Sequence, residues 1–384
     1  MRWRWRRGPE TEKLRENLNE RFHGSSFLFS SGREALLALF RSMNLKPGEE
    51  VIVQGYTCMV IPNAIHSAGG TPVYVDIDRD TLNLDCDEVE QRITSRTRAI
   101  MCQHTFGIPA NITRLRSICD AHHILLIEDC AHIIPDAKGP IIGNLGDAVL
   151  LSFGRDKAIS GISGGAIIMR QDELTAKLRA EEQNAAPVPI IKIVQWLNYP
   201  QAYFLARPFM GMKLGFVFLK LLRILHLLSP VLTDEEKEGT MSPVLHAMPN
   251  VCAALALAEL NELQTINDHR RKLTMLYFEA IKQAHIDYPT AITTDLPLQK
   301  FPIFVKSAES LRSHLKKKNI HLDDGWTGCV VCPSSSNIES AGYVPGSDPD
   351  AENASTMILS LPTHALTSES DAKRLIREVI RHKM

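Results

Sequence analysis

The sequence predicts an α/β protein: a large domain on a mostly parallel mixed sheet, followed by a smaller C-terminal α/β domain. Three observations lead there. From about Gly24 to Met169, short β-rich runs alternate with stretches of helical spacing, the pattern of parallel strands joined by crossover helices. After the charged break DEEKEG at 234–239 the pattern changes to a long helical stretch and then a second, shorter alternation. A chain of 384 residues, 44% hydrophobic and 23% charged, has the size and composition for two such cores.

The elements follow in order. Residues 31–43 (SGREALLALFRSM) space their apolar side chains as a helix does, with Ser31 as the N-cap. Residues 50–53 and 73–77 read as strands, with a helix at 63–68 between them. Then come a helix at 86–93, a strand at 99–104, a helix at 112–122 and a strand at 124–127. The runs 149–153 and 166–169 are also strand-like, but only twelve residues, rich in Gly and Ser, separate them. A parallel crossover needs a helix, which such a segment forms poorly, so this pair is expected to be antiparallel. Helices are expected at 172–184, as one long element from about 249 to 280, at 307–318 and at 369–382, with a strand at 301–305. The resulting boundaries are an N-terminal arm at 1–20, a large domain at 21–245 and a smaller domain at 246–384. The arm (MRWRWRRGPETEK) reads as disordered, since it leads into polar residues rather than into an apolar signal core.

The formal net charge of -1 argues against nucleic acid as a partner. Eight cysteines show no metal framework: the one CxxC, Cys329 to Cys332, lacks a second pair, so no metal is expected. Reduced thiols inside apolar runs, such as Cys102 and Cys130, fit a cytoplasmic protein. The segment between Gly211 and Leu228 (GMKLGFVFLKLLRILHLL) carries three basic residues within its apolar run. It is too interrupted to be read as a membrane span. A helix buried in the protein or against a second subunit is the plainer reading. Peripheral contact with a membrane surface is the alternative.

The chemistry concentrates between His123 and Met169. The run HILLIED places Asp129 at the carboxyl end of a strand, where open α/β sheets bind ligands. A second run ends in Ser152, and Lys157 follows in a loop holding Gly154, Gly161, Gly164 and Gly165. An acid to pair with a pyridinium nitrogen, a hydroxyl for phosphate and a lysine to form a Schiff base are what pyridoxal 5'-phosphate (PLP) needs. Gly32 opens a helix after Ser31, and its free amides suit an anion as well as an ordinary cap. His132, three residues past Asp129, can reach the same ligand or be a surface histidine. Tyr56 and Asn63 flank a loop that points to the same sheet edge.

The segments SSGREAL (30–36), PGEEVIVQGYT (47–57), PVYVDID (72–78), HTFG (104–107), IEDCAH (127–132), GDAVLLSFGRDK (146–157), SGG (163–165) and LSLPTH (359–364) together resemble the DegT/DnrJ/StrS-type sugar aminotransferases. The resemblance runs from about 20 to 381 and is weakest at about 180–245. It implies the PLP-dependent transferase fold type I, a homodimer, and catalysis by Lys157, Asp129 and His132. It further implies that Gly32, Arg33, Cys58, Asp129, His132, Ser152 and Lys157 bind the cofactor. Arg33 stands where the family usually has Thr, and Cys58 where it usually has an aromatic residue stacked on the ring. Leu245-His246-Ala247 stands for an Asn-x-Arg stretch that reaches the neighbouring subunit's site. Arg155 and Asp156 before the lysine are also unusual. Lys157 itself argues against the family's dehydratase branch, which has His there.

The resulting expectation is a PLP-dependent transaminase, moving an amino group from a donor such as glutamate to a keto sugar, nucleotide-linked, in amino-sugar or polysaccharide biosynthesis. The alternatives are a PLP enzyme on another, membrane-proximal substrate, and a catalytically silent PLP-binding regulator.

Overall fold

The computed structural model describes residues 3–322 and 325–382. Helices α1 (Trp3–Arg6) and α2 (Glu10–Phe22) precede β1 (Ser25–Phe29). The alternation follows as α3 (Gly32–Met43), β2 (Glu50–Gln54), α4 (Val60–Ser67), β3 (Thr71–Val75), α5 (Cys86–Arg92), β4 (Thr97–Gln103), α6 (Ile112–His122), β5 (Leu125–Asp129), β6 (Ala148–Ser152), β7 (Gly165–Met169) and α7 (Asp172–Asn184). Next come the short edge strand β8 (Ala186–Pro187), helices α8 (Ile190–Ala206) and α9 (Leu214–Ile224), and β9 (His246–Ala247). Helices α10 (Asn250–Asn261) and α11 (Leu263–Gln283) lead to β10 (Lys300–Phe304), α12 (Ala308–Lys317), α13 (Pro349–Met357), β11 (Ile358–Pro362) and α14 (Glu369–Arg381).

The main sheet has nine strands in the order β8-β9-β1-β7-β6-β5-β4-β2-β3. From β3 to β6 all neighbours are parallel. Strand β7 then runs antiparallel to both β6 and β1, as the short Gly/Ser connection predicts. This topology decides where the chemistry lies. The carboxyl ends of β2, β4, β5 and β6 share one edge. The register Gly165↔Ser152 and Phe29↔Gly165 brings the start of β7 and the end of β1 to that edge too. In the C-terminal part, β10 and β11 form an antiparallel pair of their own.

The N-terminal arm is helical rather than disordered. Its polar composition hides Leu14, Leu18 and Phe22, which recur every four residues on one face of α2 and are buried against α10 and the sheet. Leu18→Ala should cost about 2–5 kcal/mol, the range for a truncated core leucine; denaturant unfolding measures it, and an unchanged midpoint would mean that the helix is not docked. The long helix expected at 249–280 breaks at Glu262 into α10 and α11.

The segment between Gly211 and Leu228 is not buried within the chain. Helices α8 and α9 form a hairpin around a small cluster of Ala202, Ala206, Leu219 and Leu228. Gly215 lets them approach closely, since a Cβ there would stand 2.4 Å from the Ala206 carbonyl. No described helix is long and apolar enough to cross a membrane.

Candidate active site

Strand β5 ends in Asp129, which is 6% exposed. One carboxylate oxygen, Oδ1, accepts the Ala131 amide at 2.9 Å; the other has no hydrogen-bond donor among the described residues. Burial pushes this carboxyl up, against the Lys157 ammonium and the Ala131 amide. The site therefore holds a carboxylate with one oxygen to offer to a cationic donor.

Lys157 is half-buried and forms no hydrogen bond or ion pair among the described residues. Its stem passes close to Gly154, where a Cβ would lie 3.5 Å from Lys157 Cγ and 3.7 Å from Ser152 Oγ. The loop around it is fixed from both parts of the chain. The Phe153 amide donates to Gly164 O at 2.9 Å, and the Ser160 amide to Glu259 at 2.5 Å. The buried Arg270 donates to Ala158 O at 2.5 Å. From β10, Lys300 pairs with Asp156 at 3.0 Å, and the Gln299 side chain donates to the Asp156 carbonyl. The lysine amine is thus left free on a held backbone.

Ser152 Oγ faces the start of α3. A Cβ on Gly32 would stand 2.9 Å from that oxygen, and one on Gly165 would stand 2.4 Å from the Gly32 backbone. Helix start, hydroxyl and β7 therefore meet as backbone on backbone, with room only for glycine. Ser31 caps α3 through the Glu34 amide at 3.3 Å, which leaves the Gly32 amide, the helix dipole and Ser152 Oγ available to an anion. Gly165→Ala should push this corner apart, costing about 1–3 kcal/mol by overpacking and weakening retention of a phosphate-bearing cofactor; thermal unfolding and cofactor titration check it, and a neutral result in both would remove the close approach.

His132 is buried, and its Nδ1 accepts the Phe106 amide at 3.2 Å, which puts the ring proton on Nε2. Burial first, then Lys157 and Lys300, hold it well below the usual histidine range, so the ring is neutral. It stacks on Phe106 with an interplanar angle of 8° and meets Trp326 edge-on at 5.0 Å. Trp326 is also in contact with Tyr56, whose hydroxyl donates to the Trp326 carbonyl at 2.6 Å. Cys58 lies within electrostatic reach of Lys157, Arg33 and Asp129, and burial pushes its thiol up. Its short strand pairs with Val331–Cys332, so the CxxC abuts the site; Cys329 Sγ and Cys332 Sγ are 3.6 Å apart.

The structure brings Lys157, Asp129, His132, Cys58, Ser152 and Gly32 to one sheet edge. The guanidinium of Arg33 is already engaged: it pairs with Glu236 and donates to Val231 O at 2.6 Å. Asn63 serves the same segment, donating to Glu236 O at 2.7 Å. Glu128, next to Asp129, anchors the loop before β6 by accepting the Gly143 amide at 2.7 Å and the Leu145 amide at 2.9 Å, beside His104. Burial opposes its charge, but His104 and the Gly146 and Gly143 amides outweigh burial and hold its carboxyl below the usual range. Leu245-His246-Ala247 is stitched into the chain's own sheet. Ala247 pairs with Phe29, and His246 bonds Glu34 through its amide at 2.7 Å. Sequence reasoning passed over Lys300, Gln299 and Trp326. Nothing local marks them, because the C-terminal part reaches the site only through the fold.

The donor set suits PLP. It comprises a free amine, a carboxylate with one open oxygen, a neutral histidine, and an anion pocket whose glycines a Cβ would fill.

The comparisons agree. GDP-perosamine synthase of Escherichia coli O157:H7 is 24% identical over 324 residues, 83% of this chain and 76% of the relative. GDP-perosamine synthase of Vibrio cholerae is 34% identical over 156 residues, 40% of this chain and 42% of the relative. Among solved structures, DesV of S. venezuelae, in complex with a ketimine intermediate, superposes with a TM-score of 0.75 at 25% identity, covering 98% of this chain and 90% of DesV. The model of the DegT/DnrJ/EryC1/StrS aminotransferase family matches residues 2–188 and 222–380. The chain belongs to the DegT/DnrJ/EryC1/StrS aminotransferase family.

Proposed function

We propose that this protein is a PLP-dependent aminotransferase that moves an amino group from an amino-acid donor, glutamate, to a nucleotide-linked keto sugar, and that it works as a homodimer. The observation that carries the reading is an unengaged Lys157 amine within electrostatic reach of Asp129, whose second carboxylate oxygen is open, beside an anion pocket at one sheet edge. The relatives named for GDP-perosamine synthesis support the substrate class.

When bound, PLP supplies an electron-withdrawing ring that stabilises negative charge on the substrate carbon. Lys157 Nζ would hold the cofactor covalently, and the same amine would take and return the proton at the reacting carbon. Asp129 would keep a proton at the pyridine nitrogen, with the oxygen that Ala131 leaves open. His132, neutral with its proton on Nε2, is a hydrogen-bond donor that does not add a second positive charge beside Lys157. Ser152 Oγ and the Gly32 amide bind phosphate. Arg33 shapes that end of the pocket while paired with Glu236. The aromatic group of Tyr56, Phe106 and Trp326 walls off water behind His132.

The test is the half-reaction. PLP-loaded protein mixed with glutamate should yield pyridoxamine phosphate and 2-oxoglutarate. A panel of nucleotide-linked keto sugars followed by mass spectrometry should then show one of them gaining an amine. Tight PLP binding without conversion by any amino acid would instead support a silent PLP-binding regulator. Sedimentation of an active monomer would overturn the dimer.

A further inference from the structure

The hairpin of α8 and α9 is the part of the molecule that the proposed reaction does not use. Residues 189–221 also lie outside the family match. The hairpin's apolar side chains face outward: Phe204 is 75% exposed, Val217 63% and Ile224 62%. On α9 only Gly215 and Leu219 are buried. At 100° per residue, Ile224, Val217, Leu221, Leu214, Leu225 and Phe218 form a continuous outward sector about 120° wide. Lys220 and Arg223 flank that sector on one side. A packed helix in a soluble protein turns such a sector inward, whereas an interfacial helix turns it outward with basic residues at its rim.

The charge pattern identifies what covers it. From Gln183 to Thr233 there is no Asp or Glu, while Lys192, Arg207, Lys213, Lys220 and Arg223 occur in the same stretch. A chain with nearly balanced charge has concentrated cations, and excluded anions, on its most apolar exposed surface. The N-terminal helix adds arginines at the root of the hairpin, where Arg6 Nε donates to Val188 O at 2.8 Å. A second copy would bring the same cations against themselves, so like charge opposes self-association through this face. An anionic lipid surface satisfies both the apolar sector and the basic rim.

We propose that the hairpin of α8 and α9 docks the enzyme peripherally on an anionic membrane surface. The hairpin is tied to the active site from both sides. Arg155, two residues from Lys157, donates to Ser229 O at 3.0 Å and Ser229 Oγ at 2.9 Å, and its guanidinium lies 4.0 Å over the Tyr199 ring. Arg33, next to Gly32, donates to Val231 O. Docking therefore brings the site to the bilayer with the hairpin.

The experiment is co-sedimentation of the PLP-loaded protein with sucrose-loaded vesicles, of phosphatidylcholine alone or mixed with phosphatidylglycerol, without substrate. The wild type should pellet with the anionic vesicles, stay in solution with the neutral ones, and be released by high salt. Lys213→Glu/Lys220→Glu/Arg223→Glu should lower partition by at least about 10²-fold, at roughly a factor of five for each cation lost. Val217→Ser/Leu221→Ser/Ile224→Ser should also abolish binding. Retained PLP absorbance and circular dichroism show that both variants are folded. Wild type that stays in solution with anionic vesicles overturns the proposal. If the serine variant also splits the oligomer in sedimentation velocity, the face belongs to a second copy. Equal binding to neutral vesicles likewise overturns the charge argument. No substrate turnover enters the measurement, so its failure leaves the aminotransferase reading untouched.

Discussion

Lys157→Ala should abolish transamination, by at least about 10⁴-fold, because the proposed reaction assigns both the covalent attachment and the proton transfer to this one side chain. The structure shows why no neighbour replaces it. Lys300, the other nearby amine, is committed to Asp156 at 3.0 Å. Borohydride reduction of wild-type protein should fix the cofactor on the peptide that contains Lys157, and the variant should bind PLP only reversibly. Fixation on another lysine, or turnover within tenfold of wild type, would sink the assignment. Folding should be unaffected, since the amine has no partner among the described residues.

Asp129→Asn should separate stability from function. Burial raises the pKa of this carboxyl in the cofactor-free protein. The folded state therefore keeps its proton to a higher pH than the unfolded chain does. Stability contributed by that protonated form is complete below the unfolded value of about 3.9 and is lost as pH rises through the folded value; above it, the buried charge is a standing cost. Asparagine keeps an oxygen for the Ala131 amide and carries no charge. The cofactor-free variant should therefore melt higher than wild type at neutral pH, with the gap closing in acid. It should also bind PLP more weakly and lose about 10²–10⁴-fold in turnover, on the scale of a misplaced catalytic proton. A lower melting temperature at neutral pH, or near-native turnover, would refute the role given to the open oxygen.

The alternation from α3 to β7 was legible because crossover helices and buried strands write different periods, whereas β1, just before α3, was not read as a strand. The antiparallel turn at β7 was legible because twelve Gly/Ser-rich residues cannot build a helix. Asp129 and Ser152 stood out as candidates because each ends an apolar run, and Lys157 because a Gly-rich loop follows the second run. What was not legible depends on distance along the chain. Arg33 reads as a phosphate ligand in sequence, but its partner Glu236 lies some two hundred residues on and occupies its charge. Trp326 and Lys300 look unremarkable locally and gain meaning only when the C-terminal part folds against the sheet edge. Helix α2 was missed because three apolar residues among many charges suggest an arm until the core that receives them is known. The outward face of α9 was seen as apolar and basic from its sequence, but only the packing of Gly215 and Leu219 shows which side is left uncovered.

Trp326 has a consequence for the bench. Its indole sits edge-on to His132 at 5.0 Å and against Phe106 at 5.5 Å, so it is a native fluorophore built into the wall of the site. A PLP chromophore on Lys157 should quench its emission by energy transfer, so cofactor loading can be followed by light in the unlabelled protein. Trp326→Phe should remove that signal.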